Sequence, residues 1–149
     1  MNPRNQEIAK IFAGHHVQAA YLFGSRKSEG LAFLAGAKNL PQPDPTSDLD
    51  IGILLSHPPT SLFTLHGNLY AALSDLFRPF DIDIVFLHEV DALLQFDIIS
   101  GHRIFTHDEE STDDYEEYIM KKASDLYQIN KRMQHDFYEG IADGYREIK

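Results

Sequence analysis

The chain has no cysteine and no tryptophan in its 149 residues. Disulfide staples and thiolate chemistry are therefore excluded, which fits a reducing compartment, and the cytoplasm is the expected location. Long apolar runs are also missing: no stretch reaches the roughly 18 residues of a membrane helix. Met1 to Lys10 carries charge without the apolar run of a secretory signal. Basic residues are scarce, with 13 Lys and Arg against 23 Asp and Glu, a formal net charge of −10. Affinity for DNA or RNA comes mainly from Lys and Arg on phosphates, so direct nucleic-acid binding is not expected. Surplus acid suits a metal site or a basic protein partner, and equally a surface that only stays soluble.

What is present is a globular composition, 43% hydrophobic and 24% charged, in a length that favours one domain with a real core. Apolar spacing places a short helix at Gln6 to Ala13 and an apolar strand at Val17 to Phe23, ended by Gly24-Ser25. Ser25 to Gly30 starts a helical turn. Leu31 to Thr46, with Gly36, Pro41, Pro43 and Pro45, is expected to be a long exposed loop, its apolar start able to form one further turn. Leu49 to Leu55 is a strand. Thr60 to Phe77 is an amphipathic helix capped by Thr60 or Ser61, with Leu62, Leu65, Leu69, Leu73 and Leu76 on its apolar face. Phe80 to Leu87 is a third strand, Asp91 to Ile99 a short helix closed by Gly101, and Arg103 to Thr106 a last strand. From Asp108 to Glu117 seven of ten residues are acidic, the favourable sign for the start of one long C-terminal helix. Strands alternating with helices give an α+β, α/β-like class: a small mixed sheet with flanking helices. The expected organisation is one domain over 1–149, with a core at about 15–106 and a helical extension at about 110–149.

The chemistry concentrates in carboxylates. Asp48 and Asp50 are two apart in a strand and so share a face, which sets two like charges side by side. A divalent cation removes that cost and uses both groups as hard oxygen ligands. Asp81 and Asp83 share a face of the third strand, among Ile, Val and Phe in a run expected to be buried, where an unpaired carboxylate is costly. If the strands are neighbours, the acids converge into a site able to activate one oxygen and stabilise another. An Asp-x-Asp pair at a strand end is also a common turn feature. Gly24-Ser25 shifts the balance, because a strand leading through Gly and Ser into a helix start presents backbone N–H groups and a hydroxyl suited to phosphate.

The ordered set Leu22-Phe23-Gly24-Ser25-Arg26, Ser47-Asp48-Leu49-Asp50-Ile51 and Ile82-Asp83-Ile84-Val85 resembles the nucleotidyltransferase superfamily related to DNA polymerase beta. It looks most like the minimal nucleotidyltransferases, the small partners of HEPN-domain proteins in prokaryotic toxin–antitoxin pairs. The resemblance runs from Ala19 to Thr106, and the tyrosine-bearing C-terminal helix is similar to that of the antitoxin branch. It implies a polymerase-beta-like fold in which Gly24 and Ser25 grip nucleotide phosphates and Asp48 and Asp50 bind Mg2+ or Mn2+. Asp83 would complete the metal site and help deprotonate an acceptor hydroxyl. It is preferred over Asp81 because Asp83-Ile84-Val85 matches the family's run. Arg26 is open to two readings, a phosphate or a carboxylate partner.

The implied reaction is transfer of AMP from ATP to a hydroxyl, in the family a tyrosine of a cognate HEPN toxin, an AMPylation that silences the toxin and makes this chain the antitoxin. The C-terminal helix and the acidic surface would supply the partner contact, and homo- or hetero-oligomers are both open. Two alternatives stand beside it. One is a non-catalytic antitoxin acting by complex formation, against which the intact acids argue. The other is a small-molecule, aminoglycoside-type nucleotidyltransferase, for which the segment after Thr106 leaves little room. The spacing departs from the family: 22 residues, Arg26 to Ser47, separate Gly-Ser from the first metal Asp, where a shorter link is usual, and the excess lies in Leu31 to Pro43. Loop closure changes slowly with length, so the insert is tolerable. Eight histidines lack the zinc-protease spacing, and Ser25 lacks the Gly-x-Ser-x-Gly elbow of a hydrolase nucleophile.

Overall fold

A computed structural model describes residues 2–38 and 47–148, with side chains through 142. The element order is α1 Pro3–Gly14, β1 Val17–Phe23, α2 Lys27–Leu34, β2 Leu49–Leu55, α3 Leu62–Leu76, β3 Ile82–Phe86, α4 Ala92–Ile99, β4 His102–Thr106 and α5 Glu109–Ile148. Local signals set several of these bounds. Asn2 caps α1 through the Arg4 backbone N–H, Ser61 caps α3 through that of Thr64, and Asp91 caps α4 through that of Leu94. Each side chain satisfies one of the donors that a helix start leaves free.

The four strands form one mixed sheet in the order β3-β2-β1-β4. β1 runs antiparallel to both β2 and β4, whereas β2 and β3 are parallel and joined through α3. Strand residues alternate between two faces. Ala20, Leu22, Leu49, Ile51, Ile53, Ile82 and Ile84 face α1, α2 and α3, forming the larger core with Ile8, Phe12, Phe33, Leu69, Leu73 and Phe77. Ala19, Tyr21 and Phe23 face the other way and pack with Ile98, Ile99 and Ile119 of α4 and α5. Among the described residues, no helix is long and apolar enough to cross a membrane.

Two expectations change. Residues 31–34, read as the start of an exposed loop, belong to α2. Gly30 explains the helix there: a Cβ on it would come within 2.7 Å of the Leu49 Cδ1 and 3.1 Å of the Leu22 Cδ1, so its bare backbone lets α2 lie against the sheet and bury Phe33 and Leu34. The rest of the supposed loop, 39–46, lies outside the described residues. Asp81 and Asp83, expected in a buried run, are exposed, while Ile82, Ile84 and Phe86 of the same strand are buried.

α5 divides into two parts. Thr112, Ile119 and Ala123 are buried and Tyr115 and Leu126 half-buried, whereas every described side chain from Tyr127 to Ala142 is exposed. Arg103 of β4 ties the packed part down, 2.8 Å from Asp113 and 2.5 Å from Glu116.

Glycines separate space from crowding. Gly67, exposed on α3, has nothing within 4 Å of an added Cβ, whereas at Gly101 that atom would fall 2.1 Å from the Leu22 carbonyl oxygen. Gly67→Ala is therefore expected to stabilise the fold by about 1 kcal/mol through helix propensity. Gly101→Ala should cost about 2–3 kcal/mol, because backbone must move. Urea unfolding of the two variants measures both signs.

Candidate active site

The site forms where β1 ends and where β2 and β3 begin. Phe23 pairs with Asp50 across the antiparallel β1–β2 ladder. Asp50 pairs with Asp83 across the parallel β2–β3 ladder. A residue pair in register on one face stands about 5 Å apart, so the sheet itself brings these carboxylates together. Asp48, two residues before Asp50, is exposed beside them, and Asp50 is half-buried.

Gly24 and Ser25 follow directly and are exposed. Gly24 has φ +79, and a Cβ there would fall 2.2 Å from the Asp50 Oδ2. Two constraints thus require glycine: the left-handed backbone, and an Asp50 carboxylate lying over the space a side chain would fill. The Ser25 and Ser47 hydroxyls stand 3.2 Å apart, joining the two sides of the site. Ser47 was part of the Ser-Asp-Leu-Asp segment in the sequence, yet nothing there pointed to its contact with Ser25. α2 begins two residues on, and its Arg26 cap makes no side-chain capping bond. No side chain caps the start of that helix, although the Lys27 N–H already donates to the Gly24 carbonyl at 3.5 Å.

Arg26 resolves to one of its two readings. It is 7% exposed, and its Nη1 donates to the Glu29 Oε2 at 3.0 Å. It braces the first turn of α2. Asp81 contributes through its backbone: its carbonyl accepts the Leu49 N–H at 2.8 Å, anchoring the start of β2, while its side chain is exposed.

Electrostatically the carboxylates are uncompensated. None of Asp48, Asp50 and Asp83 makes an ion pair among the described residues. Burial, then Asp83, then Asp48 hold the Asp50 carboxyl above its ordinary value. Three acid groups that repel one another on a half-open face are of the chemical type that a hard divalent cation relieves. The acids do not yet surround a common point, since among the described residues no three His, Asp or Glu side chains form a closed coordinating group. A hollow of about 440 Å3 lies at the other end of the sheet and does not include these acids.

Residues 6–110 match the family described as polymerase beta, nucleotidyltransferase. Among solved structures the chain is similar to one from a mutant MntA–HpeT toxin–antitoxin, at 17% identity and TM-score 0.56, covering 92% of this chain and 97% of that one. It is similar to one from a toxin–antitoxin with AMP-PNP, at 18% identity and TM-score 0.54, covering 92% and 97%. It is also similar to one from a tri-AMPylated Shewanella oneidensis HEPN toxin in complex with MNT antitoxin, at 19% identity and TM-score 0.52, covering 93% and 95%. At such identities these likenesses speak for the fold. No curated protein sequence matches the chain.

The burial of Asp50 beside Asp83 and Asp48 has a measurable sign. With its pKa raised on folding, the folded chain binds the proton more tightly than the unfolded one. Ionised Asp50 therefore costs stability above its folded pKa, and the cost fades as pH falls toward 3.8. Without divalent cations, Asp50→Asn is expected to melt a few degrees above the parent at neutral pH, with the gap closing on acidification. Circular dichroism melts over that pH range check this, and equal melting at neutral pH would remove the cost of burying that charge among its neighbours.

Proposed function

Since the chain belongs to the polymerase beta nucleotidyltransferase family, we propose that it transfers AMP from ATP to a tyrosine hydroxyl on a cognate HEPN-type toxin and so acts as the antitoxin, in the cytoplasm. The observation that carries this reading is the register that sets Asp50 against Asp83 while Gly24 clears the space under the Asp50 carboxylate. In this reading, sequence positions far apart become one acidic site that receives the triphosphate. The fold neighbours with AMP-PNP and with an AMPylated toxin support the choice of nucleotide and acceptor.

In this reading Asp48, Asp50 and Asp83 hold Mg2+ or Mn2+, which supplies charge neutralisation along the triphosphate. Gly24, Ser25 and the start of α2 receive the phosphate oxygens and orient the chain of phosphates. Asp83, exposed at the outer edge of the site, accepts the proton of the acceptor hydroxyl. The hydroxyl oxygen then bonds to the α-phosphorus, the bond from that phosphorus to the bridging oxygen breaks, and pyrophosphate departs with the electron pair. Arg26 acts at one remove, holding α2 in place through Glu29.

A macromolecular acceptor is favoured by α5. The face that carries buried Ile119 and Ala123 and half-buried Leu126 continues as Ile129, Met133, Phe137 and Ile141, at spacings of three and four, so the stripe stays on one side of the helix. These four are 50%, 64%, 65% and 53% exposed. An apolar row of that length is the kind of face a partner helix covers, and a small-molecule acceptor gives it no use.

The test is incubation of the chain with its purified partner, labelled ATP and Mg2+. Label is expected on a partner tyrosine, and Asp48→Ala with Asp50→Ala should lower its transfer by at least about 100-fold. Transfer that survives the double change overturns the assignment, and neutralisation of the partner without label favours action by binding alone. Separately, Met133→Glu with Phe137→Glu is expected to weaken partner association about tenfold or more while leaving the melting temperature unchanged. Titration calorimetry and thermal melts distinguish the two effects.

A further inference from the structure

From Tyr127 onward α5 leaves the body of the fold. Between there and Ala142 it runs about 24 Å with every side chain exposed, yet its two sides differ. Gln128, Lys131, His135 and Glu139 share one side, where His135 and Glu139 stand 3.1 Å apart. Ile129, Met133, Phe137 and Ile141 share the opposite one. A helix segment of this length is marginal in water unless its apolar face is packed, so the row calls for an occupant.

The row is its own complement. Its four members are equally spaced along the chain, with position 135 at the midpoint. Reversing a second copy of the helix about that level sets Ile129 against Ile141 and Met133 against Phe137. Apolar then meets apolar at all four positions, and a thioether meets an aromatic ring in both central pairs. Rows of residues four apart are also the ridges by which two helices most commonly interlock. Charge follows the same symmetry. Arg132 and Asp136, one turn apart, lie on one flank of the row. Reversal brings Arg132 within about one helical turn of Asp136 of the other copy, and the symmetry makes that pairing twice. Among the described residues neither enters an ion pair within its own chain. Parallel copies would instead set Arg132 on Arg132 and Asp136 on Asp136, a like-charge contact. Reversal also keeps the two bodies apart, because each packs on α5 before Tyr127, level with the far end of the other helix.

We infer that, in the absence of toxin, this chain pairs with a second copy of itself as an antiparallel two-fold dimer through the exposed half of α5. The pairing does not depend on the proposed transfer reaction. Toxin and second copy use the same apolar row and so exclude each other. The contact is isologous, as two-fold dimers require. It is also small beside a permanent interface, so the dissociation constant is expected at roughly tens of micromolar.

The experiment is sedimentation velocity on the full chain alone, without nucleotide or toxin, at concentrations spanning that constant. A monomer–dimer equilibrium is expected. Met133→Glu with Phe137→Glu should weaken it tenfold or more. Arg132→Asp should weaken it several-fold, and adding Asp136→Arg should restore it, because the reversed charges again meet their opposites. Direction is read from single cysteines, which a chain without any reports cleanly. Gln134→Cys, near the two-fold axis, should form a disulfide-linked dimer on oxidation. Tyr127→Cys, about 24 Å from its own copy in the reversed pair, should not. A monomer at every concentration overturns the inference, and so does a dimer that survives Met133→Glu with Phe137→Glu. Equal cross-linking at both cysteines overturns the antiparallel arrangement. None of these outcomes bears on AMP transfer, which is measured with toxin and ATP present.

Discussion

The parallel pairing of β2 with β3 sets two carboxylates of like charge against each other, and much of the molecule is arranged around that contact. Asp50 and Asp83 meet in register, and burial together with the neighbouring acids raises the Asp50 carboxyl. A fold driven only by packing would place apolar residues at these two positions, as it does one step away at Leu49, Ile51, Ile82 and Ile84. The glycines around the pair have distinct duties. Gly24 makes room for the Asp50 carboxylate, whereas Gly52, two residues along the same face, makes room for Ile98, whose Cγ2 would lie 2.3 Å from an added Cβ. α4 therefore packs close to the sheet where the face is apolar, and the acids lie beyond that apolar patch.

The two ends of the sheet have opposite chemistry. One end collects carboxylates beside the start of α2; the other collects imidazoles in a cavity lined without acid. Strand direction produces this division. Asp48, Asp50 and Asp83 lie at or before the starts of two parallel strands, so whatever follows those strands must lie at the far end. α5 adds a third region, packed as far as Leu126 and exposed beyond it. Its apolar stripe does not stop where the body stops, which is hard to reconcile with a helix that functions alone.

Legibility followed the range of the forces. Val17–Phe23 and Leu49–Leu55 could be read from apolar runs ended by Gly-Ser and by His-Pro-Pro, and the α3 register from leucines three and four apart. These are local signals, and the strands and helix formed where they pointed. α2 was read short because Gly30 and Gly36 bracket Leu31 to Leu34 and look like loop punctuation. What makes the segment helical is a contact of Gly30 with Leu49 and Leu22, residues brought near only by the sheet. Arg26 behaved likewise: its type suited phosphate or carboxylate equally, and only its burial beside Glu29 chose between them. The histidines at 15, 16 and 57 carried no spacing signal at all, since their proximity comes from antiparallel β1–β2 pairing rather than from a helix repeat.

The sequence by itself determined the alternation of elements, the face each strand turns to the core, and the identity of the acids and of Gly24-Ser25, because these depend on side-chain period and backbone freedom over a few residues. The tertiary structure decided which acids meet, which face of the sheet stays open, where Arg26 is buried, and that distant histidines share one cavity. Those outcomes depend on strand order and register, and a register is set only when both faces of the sheet have been packed.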